Sequence, residues 1–169
     1  MLLGVLCALA TAPDVEARPA KRPIALASLP LVSVALLPLD ILRRVARDSA
    51  AHGAPVSCTD LRHCPDLDLW GRALDLDGDG TREWLVQDQG FSGTGAELDY
   101  VFRKDTTGHW KMVGRIEGLH LRTIGPGKTK GFLDLHGAIA GVCVEGRGKA
   151  RWNGRAYVAH LGREKPRPC

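Results

Sequence analysis

Asp75, Asp77 and Asp79 stand on alternate positions in the stretch Leu74 to Val86, "LDLDGDGTREWLV", with Gly80 after the last and Glu83 four residues on. A hard cation such as calcium takes about six to eight oxygens at short range, and alternate residues of a tight loop direct their carboxylates at a common centre. The three aspartates supply that set, Gly80 permits the sharp bend, Thr81 offers its carbonyl and Glu83 closes the shell. The competing reading is an acidic turn between two strands without a metal, its repulsion relieved by Arg72 or Arg82. Carboxylates crowded without a cation each disfavour ionisation of the others. The spacing therefore favours calcium, with an affinity on the order of micromolar to millimolar suited to an exported module. Its expected role is to brace a turn rather than to perform catalysis.

The loop is not a good EF-hand. Its twelfth position counted from Asp75 is Val86, where a bidentate glutamate is required, and Arg82 occupies the usual apolar position. The shorter pattern D-x-D-G-D-G-x-x-E, followed by an apolar run, resembles the calcium loops of the FG-GAP and VCBS-type repeats, which sit between two β-strands. Asp75, Asp77, Asp79, Thr81 and Glu83 match that loop position by position, with Glu in place of the more usual final Asp. The resemblance covers the loop and its flanking strands. It implies calcium held in a hairpin of a β domain and carries over no adhesion function. A faint echo at Gly131 to Leu135 lacks the leading aspartates, which argues against a second metal there.

No assembled catalytic motif accompanies the loop. "GPGKTKG", Gly125 to Gly131, has Arg122 where a phosphate-binding loop needs its first glycine, so it reads as a flexible β-turn. "GFSGTG" around Ser92 has Thr94 in place of the second glycine of a nucleophile elbow and reads as a glycine-rich loop. His52, His63, His109, His120, His136 and His160 form no compact ligand spacing, although His120 and His136 are candidates to meet across strands. Trp70, Trp84, Trp110 and Trp152 read as core or sheet-packing residues, with a carbohydrate-stacking platform as the sharper alternative. Glycoside hydrolysis would require two separated carboxyls, one with a raised pKa, and Glu97 and Asp99 are the residues that reading would use.

The chain of 169 residues has room for one domain of ordinary size, and its formal charge of +4 is spread over both signs, which argues against a nucleic-acid footprint. The opening stretch, residues 1–17, reads as a secretory signal: a short apolar run followed by small residues. A second apolar stretch, Ile24 to Leu42, is a candidate signal core or anchor, but Pro30, Pro38 and Asp40 oppose a spanning helix. If Cys7 leaves with the signal, Cys58, Cys64, Cys143 and Cys169 remain, an even number that suggests two disulfides in an exported chain. Cys58 with Cys64 and Cys143 with Cys169 is one of three possible pairings. A zinc site is the competing use, and the spacing matches no common zinc pattern.

These features need positioning elements. "LDILRRVARDSAA", Leu39 to Ala51, places Leu39, Leu42, Val45 and Ala46 at helical spacing with arginines opposite, predicting one amphipathic helix within an N-terminal linker over 18–55. From Trp70 onward short apolar runs separated by Gly, Asn, Asp or Thr predict strands, with hairpin turns at Asn153-Gly154 and around Gly108. "GTREWLV" and "GFLDLHG" lie about fifty residues apart and suggest a weak internal repeat of two units. Two units cannot close a propeller, so the expected fold over 56–169 is mainly β, an antiparallel sandwich or rolled sheet of hairpins with a short N-terminal helix. The functional expectation is an exported, periplasmic or secreted, non-catalytic calcium-binding domain whose glycine-rich loops, Ser92 to Gly95 and Pro126 to Lys130, meet a protein partner. Bacterial inhibitors and immunity proteins that block periplasmic cell-wall hydrolases are of this type. The alternative is a small cell-wall or polysaccharide hydrolase.

Overall fold

The structure, a computed structural model, describes residues 22–54, 56–90, 98–139 and 144–166. One curled sheet of ten strands dominates it. In chain order the strands are β1 (Ile24–Ala25), β2 (Val32–Ser33), β3 (Leu69–Leu74), β4 (Glu83–Asp88), β5 (Leu98–Lys104), β6 (Trp110–Glu117), β7 (Leu119–Thr129), β8 (Phe132–Ile139), β9 (Val144–Glu145), β10 (Arg147–Trp152), β11 (Tyr157–Leu161) and β12 (Lys165–Pro166). The spatial order is β1-β7-β8-β10-β11-β6-β5-β4-β3-β2, with β9 and β12 forming a separate pair. The mainly β class with one short helix is as the turn pattern leads one to expect, and the rolled sheet is the form it takes.

The sheet consists of two four-stranded antiparallel meanders, β3 to β6 and β7-β8-β10-β11. Each meander holds one of the two similar stretches, "GTREWLV" running into β4 and "GFLDLHG" at the start of β8. Their last strands, β6 and β11, meet in parallel at Gly114 and Tyr157. A Cβ on Gly114 would lie 2.9 Å from the Tyr157 Cβ and 3.2 Å from that of Val101, so glycine permits this seam. The outer edges of both meanders are joined by one short segment. Ile24 and Ala25 pair with β7, and Val32 and Ser33 pair with β3. The sheet therefore curls until residues 24–33 bridge its two ends, which hides edges that would otherwise present unpaired backbone groups.

Two apolar clusters follow from this curl. The inner one gathers Leu74, Leu76, Leu85 and Val101 from the first meander with Leu119, Leu121, Leu135, Ala150 and Trp152 from the second. The outer one lies under helix α1 (Leu39–Ala51), whose Ile41, Leu42, Val45 and Ser49 are buried while Arg43, Arg44 and Arg47 face water. Leu37, Ile41, Leu42 and Val45 pack on Leu69, Val86, Leu98, Tyr100 and Phe102. Asp48 of the helix accepts from the Tyr100 hydroxyl at 3.1 Å and from Arg115 Nε at 2.9 Å, which fixes the helix on the sheet. The first meander is thus covered on both faces. No helix among the described residues is long and apolar enough to cross a membrane.

The Cys58–Cys64 disulfide closes the turn that follows the helix, and Cys64 is buried in the outer cluster. Such a bond fits an oxidising compartment. Cys143, Cys169, the signal over residues 1–17 and the loop Ser92 to Gly95 lie outside the described residues. Two turns differ in detail from their sequence reading. At Asn153-Gly154 only Gly154 has positive φ; the Asn153 side chain instead accepts the N–H groups of Arg155 and Ala156, giving a four-residue loop. "GPGKT" lies within β7 as a region of shifted register, and the turn comes at Lys130 and Gly131, both with positive φ.

Candidate metal centre

Strands β3 and β4 pair from Leu69↔Asp88 to Leu74↔Glu83, and the acidic loop, residues 75–82, is the connection between them. Its backbone is folded by its own carboxylates. Asp75 accepts the N–H groups of Gly78 at 2.6 Å and Gly80 at 3.1 Å; Asp77 accepts that of Asp79, and Asp79 that of Thr81. Gly78 and Gly80 both have φ near +85°, a conformation an L side chain would strain. These short-range bonds explain why the aspartates alternate: each satisfies backbone donors two to five residues ahead.

One oxygen from each of Asp75, Asp77 and Glu83 lies within 4.8 Å of the others. Two oxygens on opposite sides of a calcium ion at about 2.3–2.6 Å are roughly 4.6–5.2 Å apart, so this spacing suits a single ion between them. Glu83 is buried, 1% exposed, because it points inward beside Leu85 at the end of β4. Its Oε2 accepts the Leu76 N–H at 2.8 Å, whereas its Oε1 makes no hydrogen bond. Burial raises the Glu83 pKa, and Asp77 and Asp79 push the same way against the Leu76 N–H and Arg103. Asp79 stays exposed at the rim, its pKa lowered chiefly by the Thr81 N–H. Thr81 is exposed beside it.

The positive charge beside these acids is Arg103, from β5, and not Arg72 or Arg82. Its Nη2 lies 2.8 Å from Asp77 and 3.4 Å from Asp79, and its Nε lies 3.7 Å from Glu83 Oε1. The guanidinium also lies over the Phe132 ring, 5.1 Å from its centre. Arg72 is turned to the far end of β3, and Arg82 is exposed at the loop. Lys128 donates to the Asp77 carbonyl at 2.7 Å, and the Leu133 N–H donates to that of Leu76 at 2.7 Å. The loop is therefore clasped by the β7–β8 hairpin and joins the two meanders at this end. Sequence reading found the acids because they are local; Arg103 and Lys128 come from strands that no local spacing connects to the loop.

The remaining candidates are placed as follows. Cys58 and Cys64 lie near Asp66, but their sulfurs are joined to each other and are not thiolate ligands. At the echo of the repeat, Asp134 accepts from the Thr129 hydroxyl at 2.6 Å and from Arg151 at 3.2 Å. His120 stands opposite Ala138 and His136 opposite Thr123, so the two histidines are not cross-strand partners. Glu97 lies outside the described residues. Asp99 is wholly buried, and burial pushes its carboxyl up to about 7, against the Gln87 amide, the Leu121 backbone amide and the Arg72 charge. Trp152 is core, Trp84 and Trp110 pack at the outer cluster, and Trp70 stands at the surface.

Comparison of the chain with protein-family models, with curated proteins and with solved structures finds no match.

Proposed function

We propose that this protein is a calcium-binding β domain in which the ion, held by Asp75, Asp77 and Glu83 with Asp79 and Thr81 at the rim, braces the closure of the rolled sheet. The observation that carries this reading is Glu83 Oε1, a buried carboxylate oxygen without a hydrogen bond, in a cluster with Asp75 and Asp77. Burying a carboxylate oxygen without a hydrogen bond is costly, and a divalent cation among three carboxylates would offset that cost. An all-oxygen donor set favours a hard ion over zinc or copper. Because the loop is tied to β7–β8 through Lys128 and Leu133, an ion there stiffens the contact between the meanders.

The wider role we assign is that of an exported, non-catalytic domain that presents a braced surface to a macromolecular partner, in the manner of a periplasmic inhibitor or immunity-type protein. The Cys58–Cys64 disulfide within one small domain supports that setting. Calorimetric titration of calcium into the chelator-stripped protein tests the core of the reading. Heat that saturates near one ion per chain, and disappears in Asp77→Ala/Asp79→Ala, is the expected result. No heat, together with a melting temperature unchanged by chelator, leaves an acidic hairpin neutralised by Arg103 and overturns it.

A further inference from the structure

The inner face of the first meander changes character along its length. Near the acidic loop and through the middle it presents Leu74, Leu85 and Val101. The alternation of side chains then places Arg72 and Trp70 on β3, Gln87 on β4 and Asp99 at the start of β5 on that same face, with Gln89 just past the end of β4. These residues lie at the end of the roll opposite the loop, where a cavity of about 340 Å³ opens, lined by Leu31, Asp68, Trp70, Arg72, Gln87 and Gln89. That volume is at the small end of the range for ligand sites, and barrel mouths are among the places such sites occur.

Partly buried Arg72 and buried Gln87 line the cavity and bond each other. Arg72 Nε donates to the Leu26 carbonyl at 2.9 Å, and its Nη1 donates to Gln87 Oε1. Gln87 is buried and stands opposite Asp99, neither of whose oxygens makes a well-formed hydrogen bond. At the rim, the Trp70 indole is 37% exposed, and its N–H donates to Asp68 Oδ1 at 3.1 Å. A large aromatic left at the surface with its polar edge already bonded offers its flat face.

This lining selects among ligand classes. Arg72 and Asp68 balance in charge, so the mouth does not attract an anion such as a phosphate or a nucleic-acid backbone through net charge. Arg72 already bonds Gln87 and the Leu26 carbonyl, but an apolar ligand would shield the remaining polar edges of Arg72, Gln87 and Gln89 from water without adding partners for them, which is costly. A sugar ring has a C–H face that can lie on an indole and a rim of hydroxyls that both donate and accept, matching amide and carboxylate groups. We propose that this mouth binds a neutral saccharide unit, stacked on Trp70 and hydrogen-bonded by Asp68 and Gln89 over the floor formed by Arg72 and Gln87. The proposal does not depend on calcium at the opposite end.

The test is titration of the isotope-labelled protein with cellobiose, maltose and N,N′-diacetylchitobiose, read by NMR at the Trp70 indole N–H and the Gln89 side-chain amide. A saturable shift at both groups with one of these sugars is expected, abolished in Trp70→Ala and weakened about tenfold in Gln89→Ala. Thermal melts of both variants check that they remain folded, and the two substitutions act at separate rim positions. The response is expected to persist in Asp77→Ala/Asp79→Ala, which separates its failure from failure of the metal site. The proposal is overturned by no saturable shift up to about 50 mM, a very weak limit for small-ligand binding. It is equally overturned by an unchanged response in folded Trp70→Ala, or by tetraglycine producing the same response as the sugars.

Discussion

Arg103→Met tests the proposed calcium site most sharply, because the guanidinium already lies against carboxylate oxygens of the cluster that a cation there would take. The guanidinium lies 2.8 Å from Asp77 and 3.7 Å from the hydrogen-bond-free Oε1 of Glu83, the two acids of the cluster that are most shielded from water. Methionine keeps most of the apolar stem that lies against Phe132 and removes the charge. The Arg103 side chain is partly exposed, so its ion pairs are screened; at about 0.5–1 kcal/mol each, the contacts to Asp77 and Glu83 together amount to about 1–2 kcal/mol. Calcium that must displace them binds more weakly by that amount. Arg103→Met is therefore expected to raise calcium affinity about five- to thirtyfold. Without calcium the same variant is expected to melt at a lower temperature, since Glu83 is then buried beside Asp77 with no cation, and calcium is expected to restore it. Calorimetry with paired thermal melts in chelator and in calcium reads both effects. An affinity for calcium that is unchanged or weaker in Arg103→Met would refute the exchange and show that the arginine and the ion do not share these oxygens.

Two further predictions concern stability. Asp99, pushed up to about 7 by burial, holds its proton more tightly in the folded protein than in the unfolded chain. Its contribution is therefore fully present below about pH 4 and is lost as pH rises to about 7, a difference of at most about 4 kcal/mol. Asp99→Asn should flatten that part of the stability profile and be more stable than the parent at pH 8; urea melts with equal slopes against pH for both proteins would contradict the assignment. The Cys58–Cys64 bond closes a short loop, with a sequence separation of 6, so chain entropy gives it about 2 kcal/mol. Cys58→Ser/Cys64→Ser should lower the urea midpoint by about 1 M, and a midpoint that does not move would mean the reduced turn is already ordered.

How much of this was legible in the chain depends on the range of each interaction. The helix was readable because Leu42 and Val45 repeat with its own period, and the acidic loop because its acids lie within nine residues and fold their own backbone. The closing segment was not, since Ile24–Ala25 and Val32–Ser33 are too short to show alternation and are strands only because β7 and β3 accept them. Nor was the buried position of Gln87 readable. β4, "EWLVQD", is covered by the helix on one side and the curl of the sheet on the other, so burial no longer alternates along it. On a strand covered twice, a polar side chain has no solvent to turn to and must find a partner within the protein. Asp88 and Gln87 have such partners. Glu83 Oε1 and the two oxygens of Asp99 lack well-formed hydrogen bonds, and they stand at opposite ends of the same inner face. Packing alone would favour apolar residues at both positions. The inner face thus has an apolar middle and two polar ends, and it is at those ends that the proposed cation and saccharide sites lie.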